Sequence, residues 1–278
     1  MHERRSRLPG SEPAEAASLS LGRRIQEQAQ RTGSDLLGLL FPSRCAGCQR
    51  VDEVLCAACR AAFVPLSPPW CSSCGQPVAE EGALCERCQR HRPPYVAGHS
   101  VFQFEGTLRK AVHALKYERR AEIGGSLVDE MLNTLPRQWP DYQAWPLDAA
   151  VAVPLHPARE AARGYNQARL LAEPLAKAWG IDVLDDAVRR VRDTQPQMSL
   201  NARERQENVR AAFLGEAAQV SGLDLLLVDD VRTTGATLAA CALALAEAGA
   251  KSVRVLALAN AVGSGIPLMK GGPDGHLD

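Results

Sequence analysis

Two sets of residues in this chain are of types and spacings that do chemistry, and they lie far apart. The first is an acidic pair, Asp229 and Asp230, followed closely by Thr233, Thr234, Gly235, Ala236 and Thr237. Ionised carboxylates only accept hydrogen bonds, so an adjacent pair suits sugar hydroxyls and repels phosphate. A loop of hydroxyls and glycine does the reverse. Where such a loop opens a helix, the first N–H groups have no internal partners and point at an anion. A sugar phosphate satisfies both halves. The second set is eight cysteines in four CxxC pairs: Cys45/Cys48, Cys56/Cys59, Cys71/Cys74 and Cys85/Cys88. Two thiolates at that spacing form a zinc knuckle, and eight complete two tetrahedral sites.

The acidic pair needs a scaffold, and the neighbouring residues supply one. Leu223 and residues 225–228 are an apolar run that reads as a buried parallel strand ended by the two carboxylates. Leu238, Cys241, Ala242 and Leu245 recur on one helical face, and Gly249 sits where a helix ends. Cys241 is therefore read as core. Open α/β sheets bind ligands at the carboxyl ends of their strands, where this pair lies. For the cysteines, sequential pairing leaves spacers of seven and ten residues between knuckles and suits two small ribbons. A cross-braced arrangement, with alternate pairs sharing a metal, is also compatible with the sequence. Redox CxxC chemistry would instead need one reactive pair beside a thioredoxin-like βαβ unit.

Composition sets the outer limits. The 278 residues suffice for one α/β domain and a smaller module, and a net charge of zero provides no global field for nucleic acid or membrane. No apolar run is long enough to span a bilayer, and no hydrophobic segment follows the basic ERRSR at the N-terminus, so a cytoplasmic protein is expected. Residues 1–18 read as a disordered tail and Leu19 to Leu40 as a helix whose apolar end packs on the cysteine module.

Further chemistry-bearing segments lie between the two sets. Val96 to Phe104 reads as a strand, and Leu108, Val112 and Leu115 as a helix face followed by Lys116 and Tyr117. A Pro/Trp-rich connection over 135–146 leads to a strand at Ala149 to Val153. Beyond it stand His156, Arg159 and Arg163; arginines four apart share a helix face and can clamp a pyrophosphate. His156, between prolines, reads as a structural loop residue. The charged stretch from Arg192 to Arg210, with Arg205 inside it, reads as a flap. Val253, Val255, Leu256 and Leu258 form a last strand, with a tail beyond Val262.

LLLVDDVRTTGAT resembles the phosphoribosyl-pyrophosphate (PRPP) signature of type I phosphoribosyltransferases. Together with the four CxxC pairs, ALKYERR, VPLHPARExxRGYNQA and the NVRAAF segment, in that order over roughly residues 36–260, the chain resembles the ComF family. That resemblance implies a fold, an α/β parallel sheet of the type I phosphoribosyltransferase kind flanked by helices, behind an N-terminal double zinc ribbon. The implied division is a tail and lead-in helix over 1–35, ribbons over 36–92, the transferase domain over 93–262 and a C-terminal tail over 263–278. It also implies roles: Thr233 to Thr237 hold the 5-phosphate of PRPP, Asp229 and Asp230 the ribose hydroxyls, and Arg159, Arg163, Lys116 and Arg205 help at the pyrophosphate and flap. Mg²⁺ accompanies PRPP, and zinc is structural.

Two functions follow from the resemblance. One is a phosphoribosyltransferase with an unidentified acceptor, associated with competence and DNA uptake. The other is a single-stranded-DNA-binding transformation protein whose phosphoribosyl site is regulatory or vestigial, working with competence-machinery partners. Residues 40–120 hold eleven Lys/Arg against seven Asp/Glu, too small an excess to decide for DNA, so a purely structural role for the ribbons is the favoured expectation.

Overall fold

A computed structural model describes residues 43–51, 53–192 and 212–261. The two tails, the lead-in helix and nearly all of the flap, Arg205 included, lie outside these residues.

The apolar runs form a five-stranded sheet, parallel throughout. In chain order its strands are β1 (Ala97–Gln103), β2 (Ala149–Ala152), β3 (Asp182–Val183), β6 (Asp224–Arg232) and β7 (Ser252–Asn260). Their order across the sheet is β1-β7-β6-β2-β3. Leu225, Leu226 and Leu227 of β6 are fully buried, because both faces of this inner strand are covered. Helices α3 (Gly106–Tyr117), α4 (Ile123–Gln138) and α6 (Gln167–Trp179) pack on one face. Helix α8 (Ala236–Glu247) and an antiparallel ribbon of β4 (Val188–Arg190) and β5 (Phe213–Gly215) pack on the other. The connection expected over 135–146 is partly helical, since α4 runs through Pro136 to Gln138. The short α5 (Pro157–Arg163) follows β2, and α7 (Ala217–Val220) precedes β6.

The strand carrying the acidic pair is longer than its apolar run. It continues through Asp229 and Asp230 to Arg232, in register with Ala257 to Asn260 of β7. Hydrogen bonding to β7 extends the strand where hydrophobicity alone would have stopped it.

The cysteine module is built into this core. Its two short helices are α1 (Ala57–Ala61) and α2 (Glu86–Arg90). Leu55, Cys56, Cys59 and Phe63 of the first ribbon join the core beneath α3 and α4, and Thr107 Oγ1 donates to Cys59 O at 2.9 Å. The second ribbon also packs against β1, Gly98 N donating to Ser73 O at 3.1 Å. Gly75 there has φ of +69°, and a Cβ on it would fall 2.1 Å from Gly98 O. Between the ribbons, residues 64–66 run antiparallel to β1. Leu66 N donates to Val101 O at 2.9 Å, and Gln103 N to Val64 O at 2.8 Å. Gln138 Nε2 of α4 seals the join, donating to Leu66 O and Val101 O at 2.7 and 2.8 Å. An edge strand otherwise open to other chains is thereby covered.

Candidate functional site

Asp229 and Asp230 lie in the carboxyl half of β6, only 8% and 3% exposed. Successive strand residues face opposite sides. Asp230 meets α3, where Lys116 Nζ stands 2.7 Å from its Oδ2. Asp229 faces α8; burial chiefly, with the Asp229 charge second, raises the thiol pKa of Cys241 on that helix. One lysine thus faces two buried carboxyls. Burial first, and the Asp230 charge next, push Asp229 up to about 8 against the pull of Lys116. A cation or a hydroxyl-rich ligand brought beside the pair would favour its ionised form.

The hydroxyl loop follows immediately. Gly235 is the N-cap of α8 with φ of +72°, a conformation glycine adopts without strain. Thr234 Oγ1 accepts from Ala236 N at 3.3 Å, while Thr233 and Thr234 are exposed. Asp229, Arg232, Thr233, Gly235, Ala236 and Thr237 help line a small open concavity of about 180 Å³. The first N–H groups of a twelve-residue helix, flanked by hydroxyls, suit an anion there.

The segment after β2 reaches the same end of the sheet, since β2 neighbours β6. His156 caps α5, its Nδ1 accepting from Ala158 N at 3.4 Å, in keeping with a structural loop residue. Arg159 and Arg163 are half-buried on α5. Arg163 donates to Gln167 Oε1, and its guanidinium lies 5.9 Å from the centre of the Tyr117 ring. Asn166 Nδ2 donates to Val153 O at 3.0 Å, and its Oδ1 caps α6 at Ala168 N. Tyr165 Oη donates to Leu115 O, and Arg119 to Ala162 O at 2.9 Å. The KYERR and RGYNQ segments are therefore pinned together around the acidic pair.

The cysteines form two clusters, Cys45/Cys48/Cys56/Cys59 and Cys71/Cys74/Cys85/Cys88, each with all sulfurs within 4.8 Å of one another. This is the sequential pairing. Cys48 and Cys56, and likewise Cys74 and Cys85, have sulfurs 3.7 Å apart. That is far from a disulfide bond, and close to the ~3.8 Å edge of a tetrahedron with ~2.3 Å zinc–sulfur bonds. Cys56 N donates to Cys45 Sγ at 3.3 Å. Burial, with neighbouring thiols, pushes Cys59 up in the first cluster and both Cys74 and Cys88 up in the second, the Arg232 charge opposing this at Cys74. In the same clusters backbone N–H donors, outweighing burial, pull Cys45 down to about 6 and Cys71 to about 7. Four thiols so close cannot all ionise without a cation, and the donor set fits structural zinc.

The family model for a double zinc ribbon domain matches residues 36–89. The chain is similar to the DNA utilization protein YhgH of Salmonella typhimurium, 37% identical over 204 residues, covering 73% of this chain and 89% of that protein. The chain belongs to the ComF family. It is also similar to Competence protein F of Haemophilus influenzae, 28% identical over 80% of this chain and 98% of that one. Competence protein ComFC of Bacillus subtilis is 28% identical over 71% of this chain and 80% of its own length.

In this ComF protein the residues singled out from sequence divide unevenly. Lys116, Asp229, Asp230 and the 233–237 loop converge. Arg159 and Arg163 reach the same end of the sheet, but Arg163 turns to Gln167 and Tyr117. Sequence reasoning missed Arg232, Gln76 and Asn260. Arg232, 5% exposed, donates to Cys74 O, and to Gln76 Oε1 at 2.8 Å; Asn260 Nδ2 donates to the same Oε1 at 3.1 Å. Only the position of Arg232 inside the acidic-pair motif could have flagged it. Among the described residues no helix is long and apolar enough to cross a membrane.

Proposed function

We propose that the crevice at the carboxyl ends of β2 and β6 binds PRPP with Mg²⁺ and serves a phosphoribosyl transfer linked to the handling of DNA. One observation carries this reading: a buried acidic pair, half-neutralised by Lys116, runs directly into a glycine-capped anion loop. The loop takes the 5-phosphate through the first N–H groups of α8 and the threonine hydroxyls. Asp229 and Asp230 accept from the ribose hydroxyls, and Lys116 fixes the orientation of Asp230. Mg²⁺ bound with the substrate would supply charge neutralisation, since it prefers substrate phosphates and waters to protein cages. The reaction forms a bond from a nitrogen nucleophile to C1 and breaks the bond from C1 to pyrophosphate, which leaves with the electron pair. The protein contributes placement and electrostatics. The names of the relatives, DNA utilization protein and competence protein, support a role in competence.

A second reading, a site used for a nucleic-acid strand, draws on Tyr117. This ring is 69% exposed, beside His113 at 4.8 Å and the Arg163 guanidinium, a combination that stacks bases and attracts phosphates. One experiment separates the readings. PRPP with Mg²⁺ is expected to raise Tm and to displace a fluorescent single-stranded oligonucleotide from the crevice. Absence of any shift at millimolar PRPP refutes the transferase reading. Oligonucleotide binding indifferent to PRPP removes the strand from this site.

A further inference from the structure

The second four-cysteine cluster and the anion loop share a side chain. Arg232 lies between the acidic pair and the threonines, and its backbone is held on β7, Ala261 N donating to Arg232 O at 2.8 Å. Its guanidinium reaches away from the loop into the second ribbon. There it donates to the carbonyl of Cys74, to the Cys74 sulfur at 3.5 Å and to Gln76 Oε1 at 2.8 Å. The stem passes beneath the loop: a Cβ on Gly235 would stand 3.7 Å from its Cγ and Nε. Asn260 holds Gln76 from the adjacent strand. The ribbon returns the anchorage, since Gly98 N of β1 donates to Ser73 O at 3.1 Å and Cys71 N to Gln76 O at 2.7 Å.

We propose that Arg232 is a positioning residue that ties the anion loop to the second four-cysteine site, so that the metal state of that site sets how well the loop binds phosphate. Cys74 is itself one of the four cysteines of that site and Gln76 follows it by two residues, so closing the knuckle on its metal fixes both acceptors of the guanidinium. A planar fork buried at 5% exposure has one satisfied arrangement. Opening the knuckle withdraws the Cys74 carbonyl and Gln76 together, leaving a buried guanidinium without acceptors directly under the N-cap of α8. The loop must then move. Partners of a ligand sulfur tune metal affinity in the same way as the ligands themselves do, so the coupling runs in both directions: a phosphate in the loop tightens the second site by the factor by which metal there tightens the loop.

Only the identity of the ligand rests on the PRPP reading, and the decisive measurement needs no ligand. Zinc-loaded full-length protein is compared with Arg232→Lys, Gln76→Ala and Cys85→Ser by zinc content and by amide exchange of residues 233–239. Arg232→Lys keeps the charge but loses the fork, and Gln76→Ala is the milder change should the first fail to fold. Cys85→Ser is expected to retain one zinc and to deprotect the loop, although no loop residue is altered. Arg232→Lys should retain two zinc ions and deprotect the loop. Cys48→Ser, which opens the first site, should deprotect the first ribbon but not 233–239. Inorganic phosphate and PRPP should bind at least about tenfold more weakly to Cys85→Ser and Arg232→Lys, within the usual range of such couplings. Loop exchange that stays at the wild-type level after the second-site zinc is lost overturns the proposal. Unaltered loop exchange with no PRPP binding even to the wild type overturns both readings, whereas deprotection without PRPP binding overturns only the PRPP reading.

Discussion

Replacing Asp229 by Asn should change how stability depends on pH, and the size of the change can be worked from its surroundings. Burial and the Asp230 charge push the folded carboxyl up to about 8, against an ordinary value of 3.8. Below about pH 4 both folded and unfolded chains hold the proton, and stability is independent of this group. Between about pH 4 and 8 the unfolded chain has lost it and the folded chain keeps it, so the folded state binds more protons. Stability then falls as pH rises, by up to about 1.4 kcal/mol per unit for one full proton. From pH 5 to 7 the loss is about 2–3 kcal/mol. The charges of Asp230 and Lys116 act on the same carboxyl in opposite senses, so the slope is spread over a wider range. Asparagine keeps the shape and removes the charge. Urea unfolding of ligand-free, zinc-loaded wild type and Asp229→Asn at pH 5, 6, 7 and 8 should give a difference that closes or reverses toward high pH. Background titrations of His and Cys cancel in that difference. Parallel curves across the range would refute the claim that Asp229 is protonated at rest.

Further tests address the rest of the scaffold. Lys116→Met removes the cation facing Asp230 and should cost about 2–4 kcal/mol at pH 7 by chemical denaturation; a partly exposed lysine holds this below the full cost of breaking a buried pair. Purified protein should carry two zinc ions by elemental analysis. Chelation should shift tryptophan emission to the red, because Trp70 of the second ribbon lies 4.9 Å from Trp139, itself edge-to-face with His99 at 4.5 Å.

The strand–loop–helix core was legible because its signals are local. An apolar run, a glycine and a helical stripe each announce themselves within a few residues. The extension of β6 through Asp229 and Asp230 was not legible, since burying them inside an inner strand relies on a raised Asp229 pKa and on Lys116, which reaches Asp230 from a distant helix. The pairing of the cysteines stayed open in sequence for a related reason. Spacing allows both arrangements, and the sequential one holds in the fold. There residues 64–66 lie along β1 between the two ribbons, each with its own cysteine cluster. Arg159 and Arg163 were placed on one helix face from spacing, yet spacing says nothing of Gln167 and Tyr117, which take up Arg163.

The end of β6 reaches several separate parts of the protein, the second ribbon among them. Asp229 looks toward α8, Asp230 toward Lys116 on α3, and Arg232 is taken up by the second ribbon. Three of four successive residues thereby touch three separately built parts of the protein. A solvated acidic pair on a surface turn would need none of these neighbours. Burying two carboxyls and a guanidinium costs several kcal/mol each unless partners arrive from elsewhere. Those partners come from α3 and from the zinc module, and neither would be needed for a strand that only completed a sheet. Zinc in this fold is therefore more than a local staple for cysteine-rich loops. By closing the β1 edge and supplying acceptors to Arg232, the ribbons hold the end of β6 from which the ligand loop departs.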